Sequence, residues 1–330
     1  MTKKQFSAKD FLINNGVIII MFILVIVTGI LKPNFVTWNN ANNILLNMSY
    51  RIVIALGIAG CVITGGCDLS AGRIIGLGGC IAGTLLQRLD YSGKFELFKD
   101  MPPLNVFVAA LIVMAICAVC GLVTGLFIAF LNVPPFIATL AMMEIVYGMN
   151  LLYTHATPLG GYTEKYTNVS NGRFLGINYL IWIAIAVIAI TWFIFNMTRH
   201  GKYMYAIGGN LQAAEVAGVP VKTTLILIYT KAAAMYGLAG FMLGAKSGGA
   251  SVNLGLGYEM EAIAACTIGG VSVTGGRGKV SSAIVGVAVF ELLKASLQFL
   301  GVDNNAQYIA IGVIILIAIS LDIRKYVIKK

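Results

Sequence analysis

Thirteen acidic and 23 basic side chains are spread through 330 residues, and a few fall where chemistry would be expected. Glu144, Arg51 and Lys231 each stand inside an apolar run, Glu291 and Lys294 lie three apart in another, and Asp68 and Arg73 flank a break. An ionisable group at membrane depth costs about 2.5–3.5 kcal/mol on insertion scales, so each needs a partner, a wet cavity or a task. Glu291 and Lys294 share one helix face and read as a mutually neutralising pair. Glu144 reads as a buried acid hydrogen-bonded to a neighbouring helix, with ion coupling as its functional alternative. Lys231 and Arg51 either snorkel or pair across helices. Asp68 and Arg73, five apart, pair only if the break bends; otherwise they serve a gate.

Constellations for catalysis are missing. His155 and His200 fall on opposite sides of the predicted topology and cannot cooperate. Gly278-Lys279 is followed by Val280 rather than Ser or Thr, and Val273 stands where a phosphate loop needs its first Gly, so no nucleotide site is read. Cys117-x-x-Cys120 has a redox or metal spacing but lies mid-helix with no nearby His or second Cys pair. It and Cys61, Cys67, Cys80 and Cys266 read as small hydrophobes. No bound cofactor or metal is expected. Neutral polar and aromatic groups are the better candidates for a solute path: Asn47, Ser49, Tyr50, Tyr147, Asn150 and Tyr236.

The elements that must position these residues are membrane spans. With 58% hydrophobic and 11% charged residues and a mean hydropathy of +0.88, the chain has no room for a sizeable soluble domain. A span needs about 20 apolar residues, and about ten fit, near 15–31, 44–64, 70–86, 104–131, 134–154, 178–196, 224–245, 258–271, 279–300 and 307–322. The first run follows Lys3, Lys4 and Lys9 but lacks a small-residue cleavage site and reads as a retained span. The expected fold is all-α, one polytopic bundle over 1–330 in a lipid bilayer, with both termini cytoplasmic. The net charge of +10 agrees with that orientation, since 13 of the 23 basic residues fall on the side of the termini and seven on the other. They form no single basic face, so nucleic acid is not an expected partner.

Small-x-x-x-small pairs (Gly72/Gly76, Gly79/Gly83, Gly121/Gly125, Gly240/Gly244) predict close helix approach. The 65–69 break and the short 258–271 run invite re-entrant backbone, tolerated only where protein or water surrounds it. Thr64-Gly65-Gly66 is echoed by Thr274-Gly275-Gly276. The longest cytoplasmic polar stretch is 198–223. Within it Asn210 caps a short helix, Ala213, Ala214, Val216 and Ala217 give it a small-residue surface, and Gly218 with Pro220 stops it. Such a helix suits docking into a partner's groove, or merely joins two spans at the interface.

Gly208-Gly209-Asn210, Ala213-Ala214 and Ala217-Gly218-Val219 resemble the cytoplasmic coupling loop of sugar-type permeases of bacterial ABC importers, the ribose and galactose group. Asp68-Leu69-Ser70-Ala71-Gly72 is similar to their Asp-Leu-Ser-x-Gly stretch, and Pro135-Phe136-Ile137 with Thr139-Leu140 to their Pro-Phe-Ile-x-Thr-Leu segment. Glu261-Ala262-Ile263-Ala264-Ala265 before Gly269-Gly270-Val271-Ser272 completes a resemblance that covers nearly the whole chain. Arg73, the 51–57 run and Leu321-Asp322 with Lys325-Tyr326 look like the galactose subgroup. Leu211-Gln212 and Cys67 depart from the family's pattern.

The resemblance implies a non-enzymatic transport subunit in the bacterial cytoplasmic (inner) membrane. It implies a second permease copy, an extracytoplasmic sugar-binding protein that delivers a monosaccharide, and a separate ATP-binding subunit that holds ATP and Mg. Alternating access would be driven through Gly208, Gly209, Asn210, Ala213, Ala214, Glu215, Ala217 and Gly218. Asp68, Ser70, Arg73, Asn47, Tyr50, Asn150 and Tyr147 are the expected gate or pathway. Ribose, xylose or a nucleoside is the alternative cargo, and an ion-coupled secondary transporter is the alternative class.

Overall fold

A computed structural model describes residues 8–327. The helices are α1 (Ala8–Leu31), α2 (Trp38–Ile63), α3 (Ala71–Leu86), α4 (Val106–Leu131), α5 (Pro135–Thr154), α6 (Glu164–Asn171), α7 (Tyr179–Met197), α8 (Arg199–Gly209), α9 (Leu211–Val216), α10 (Val221–Ser247), α11 (Tyr258–Gly269), α12 (Val280–Phe299) and α13 (Asn304–Val327). Among the described residues α2, α4, α5, α7, α10 and α12 are long and apolar enough to cross a membrane. Polar caps set several starts: Thr37 accepts from Asn40 N at 3.3 Å, Asn105 from Phe107 N at 2.9 Å and Asn178 from Leu180 N at 2.8 Å. Pro135 opens α5, where its missing N–H is harmless. The expected spans agree with the helices to within a few residues, except that α1 begins at Ala8 rather than 15, α2 at Trp38 rather than 44, and α13 runs to Val327 rather than 322. Two features lie outside the expected spans: the short α6 and a hairpin pairing β1 (Arg173–Phe174) with β2 (Ile177–Asn178), the latter a departure from all-α.

Helix α10 is the axis of the core, packed on α2, α3 and α4. Glycines allow the approach. A Cβ on Gly237 would lie 2.8 Å from Cys117 Cβ, and one on Gly78 would lie 2.9 Å from the Gly237 backbone. Gly125 faces the Ile226 backbone in the same way. Of the predicted small-residue pairs, Gly121/Gly125 and Gly240 sit at helix crossings, Gly72/Gly76 lie against the 252–255 turn and Gly83 against Tyr162, and Cys117 fills the space beside Gly237 as packing.

Two helices start late. After α2 the chain runs through 64–70 before α3, and after α10 it runs through 248–257 before α11. Buried Asp68 closes the first break, its Oδ1 accepting from Ser70 N at 3.0 Å and from Ser70 Oγ at 2.6 Å. Thr139 Oγ1 of α5 donates to Cys67 O at 3.3 Å. The second break pairs Ala250 with Leu159 and then turns through Gly255 and Gly257, both at positive φ. The first turn of α3, just past the first break, touches the second, because a Cβ on Gly72 would meet the Gly255 backbone. Helix α11 has 12 residues, about 18 Å, and follows a run of turns over 252–257.

Four charges are gathered where α2, α11 and α12 meet. Arg51 pairs with Glu261 through Nη1 and with Glu291 through Nε, and Lys294 Nζ reaches the other Glu261 oxygen at 2.5 Å. The Glu291 side chain is 4% exposed and that of Lys294 22%. The expected Glu291–Lys294 pair is thus overturned: they share a helix face, but Arg51 enters from α2 and takes Glu291, leaving Lys294 to Glu261. The expectation for Glu144 is also corrected, since it is exposed on the outer face of α5 rather than buried.

Removing one partner from a buried ion network leaves an uncompensated charge and costs about 3–5 kcal/mol. Arg51→Met is therefore expected to lower the thermal midpoint of the detergent-solubilised protein steeply, and an unchanged midpoint would show that the network bears no load. Gly237→Val should destabilise by about 1–3 kcal/mol through overpacking, whereas Gly148→Ala, with open space around it, should be neutral in the same melting assay.

Candidate functional site

The 198–223 segment folds as two short helices hinged at one residue. Thr198 opens α8 by accepting from Gly201 N at 3.2 Å. Asn210 ends α8 and caps α9, its Oδ1 accepting from Ala213 N at 2.9 Å. At the far end Gly218 adopts φ +77°, Gly218 N donates to Glu215 O and Val219 N to Ala214 O, both at 3.0 Å. That pair of bonds is the Schellman closure, which a left-handed glycine permits.

The exposed face of α9 differs from the one expected. Ala214 is turned inward, packed with Ile207 and Val221. Leu211, Ala213, Glu215, Val216, Ala217 and Gly218 are exposed, Val216 at 91%. The result is a small protruding knob with an apolar tip. Gly208 and Gly209 also part company: Gly209 is open, whereas a Cβ on Gly208 would strike the Ile63 carbonyl and the Gly276 amide.

Beneath the knob the two Thr-Gly-Gly turns meet. Gly276 N donates to Ile63 O at 2.8 Å, a Cβ on Gly275 would lie 3.0 Å from Gly65 N, and Tyr205 of α8 donates to Gly278 O at 2.9 Å. The sequence echo therefore marks one junction, where the end of α2, the α11–α12 loop and α8 share backbone contacts. Burial, reinforced by nearby Lys231, pushes His200 of α8 down to about 4, so it is neutral at pH 7.

The expected pathway residues separate into four places. Asp68 and Ser70 are the buried cap of α3, beside Tyr236, whose ring covers Gly57. Arg73 turns away from Asp68: its guanidinium lies 3.9 Å from the centre of the Tyr147 ring and donates to Asn253 Oδ1 at 3.0 Å. Asn150 is buried in α5 beside Cys80. Asn47 lines a polar cavity and accepts from Lys246, while Tyr50 stacks on Tyr258 at 6.1 Å. Asn253 and Lys246 were missed as site residues. Only the glycine-rich run around Asn253 hinted that backbone there comes close to another element.

Residues 40–319 match the family model described as "Branched-chain amino acid transport system / permease component". The galactose/methyl galactoside import permease protein MglC of Escherichia coli (strain K12) is 41% identical over 100% of this chain and 99% of its own. The Haemophilus influenzae protein of that name is 43% identical over 94% and 95%. The ribose import permease protein RbsC of Escherichia coli (strain K12) is 32% identical over 98% and 97%. No solved structure matches. On a family match that spans most of its length, with full-length likeness to sugar import permeases, the chain belongs to this family of transport-system permease components.

Proposed function

We propose that the chain is the membrane permease of an ATP-driven importer that carries a monosaccharide, galactose or methyl galactoside, into the cytoplasm. The observation that carries this reading is the end-to-end likeness to galactose/methyl galactoside import permeases at 41–43% identity, against 32% for the ribose permease. Ten crossings follow if α1, α3, α13 and the 248–269 segment are added to the six long helices. The charge bias of the loops then supports a cytoplasmic position for both termini, α8 and α9.

In this reading the knob at α9 seats in a groove of the ATP-binding subunit, which holds ATP and Mg. Movement of α9 acts on the junction of α2 and the α11–α12 loop through Gly208, a position too tight to absorb the motion locally. The end of α2 leads into the 64–70 break and the α11–α12 loop follows α11, so a push at α8 reaches the start of α3 and the end of α11. The sugar path runs beside Arg73, Tyr147 and Asn253, and exposed Glu144, one turn from Tyr147 on α5, faces it or a second permease copy. Aromatic and amide groups suit sugar C–H faces and hydroxyls, and the sugar-binding protein outside supplies tight selection. Glu291 is committed to Arg51, which removes it as a mobile ion carrier and disfavours an ion-coupled mechanism.

Val216→Asp places a charge on the tip of the knob while leaving its buried side intact. It is expected to reduce co-purification with the ATP-binding subunit by about tenfold and to abolish sugar uptake at unchanged membrane level. Gly218→Val, strained at positive φ, should uncouple ATP hydrolysis from uptake. Normal uptake in both variants would remove α9 from the coupling role.

A further inference from the structure

A cavity of about 900 Å³ lies between α2, α12, α13 and the end of α10, apart from Arg73 and Tyr147. One wall is a ladder of amides on α2, Asn39, Asn43 and Asn47, spaced four apart and leading to Arg51. At 1.5 Å per residue the ladder descends about 18 Å. Across from it stand Lys294 and Gln298 of α12, and Lys246 closes the inner end. Of the expected gate or pathway residues only Asn47 lines it, and the sugar path proposed beside Arg73, Tyr147 and Asn253 does not use it.

Its charge does not balance. Among the described residues around the inner end, Arg51, Lys246 and Lys294 are basic and Glu261 and Glu291 acidic. Both acids are already taken by Arg51 and Lys294. The Lys246 ammonium meets the Asn47 carbonyl and, at 5.4 Å, the Tyr50 ring, and its nearest acid, Glu291, is already held by Arg51. One positive charge therefore faces a cavity whose walls are rich in amide N–H donors, and a neutral sugar would not compensate it. The mouth is placed by Trp38 and Tyr308, 75% and 71% exposed beside the first rung and on α13. Aromatic residues of this kind settle at the level of lipid headgroups.

From the uncompensated cation, the amide ladder and the interfacial mouth, we infer that this shaft binds a phosphate-bearing anion, with the headgroup of an anionic phospholipid as its source. The phosphate oxygens accept from Lys246 and from the amides of Asn43 and Asn47. Basic pockets between membrane helices take lipid headgroups by the same chemistry. A bound headgroup would brace α2 against α12 and α13 beside the Arg51 network.

The test is native mass spectrometry of the full chain released from nanodiscs containing either phosphatidylglycerol or phosphatidylcholine, with a parallel melting assay in inorganic phosphate. The wild type should retain one phosphatidylglycerol in preference to phosphatidylcholine. Lys246→Gln should lose about tenfold of that preference, the equivalent of one charge-assisted contact. Asn43→Leu, in the wide part of the shaft, tests the same site if Lys246→Gln does not fold, and Lys32→Gln, which does not line the shaft, should behave as wild type. Lys246-dependent stabilisation by inorganic phosphate without lipid retention would uphold the phosphate site and move its source to solution. Equal lipid retention in all variants with no effect of phosphate, or stabilisation by galactose in place of phosphate, would overturn the proposal.

Discussion

Arg51, held between Glu261 and Glu291, is the contact on which the arrangement of the bundle turns. Charges in an apolar chain must be neutralised where they stand, and three helices are brought to one point to do it: α2 supplies the arginine, α11 and α12 the carboxylates, and α12 the second cation. Fixing α2 against α11 and α12 also fixes their other ends. There Ile63 receives the Gly276 amide and the two Thr-Gly-Gly turns touch beneath Gly208. The buried charges and the Thr-Gly-Gly junction thus lie at opposite ends of one unit.

Against that unit α10 packs through glycine so closely that it has little freedom to slide. Flexibility is left to the places where helix is interrupted. The 64–70 and 248–257 breaks each lead into a shortened helix, and the start of α3 at Gly72 lies against Gly255 of the second. In the proposed coupling, a load at α9 would pass through Gly208 to the helices that flank these breaks. The geometry suits a permease that rocks about discontinuous helices rather than one that opens a fixed pore.

Much of this was legible in the sequence. Apolar runs gave the long helices because length and hydropathy suffice for a span, and Asn210 and Gly218 gave α9 because caps act locally. What failed was non-local. The spacing of Glu291 and Lys294 allowed a helical pair, but nothing in that spacing shows an arginine arriving from 240 residues earlier in the chain. Ala214 was taken for surface because alanine suits either side of a short helix. Glu144 was placed inside because hydropathy reports depth along a helix and not the direction a side chain faces. The Asn39, Asn43, Asn47, Arg51 ladder was present as a four-residue repeat, yet its meaning required knowing that α12 and α13 leave a space beside it.

The central claim is that ATP hydrolysis on another subunit drives a sugar through this chain. It is tested most directly by reconstituting the chain with its ATP-binding subunit and sugar-binding protein in liposomes and following labelled galactose with and without ATP. The account predicts uptake that requires ATP and the binding protein and continues when the proton gradient is collapsed. Uptake that proceeds without ATP and stops with the gradient would contradict it.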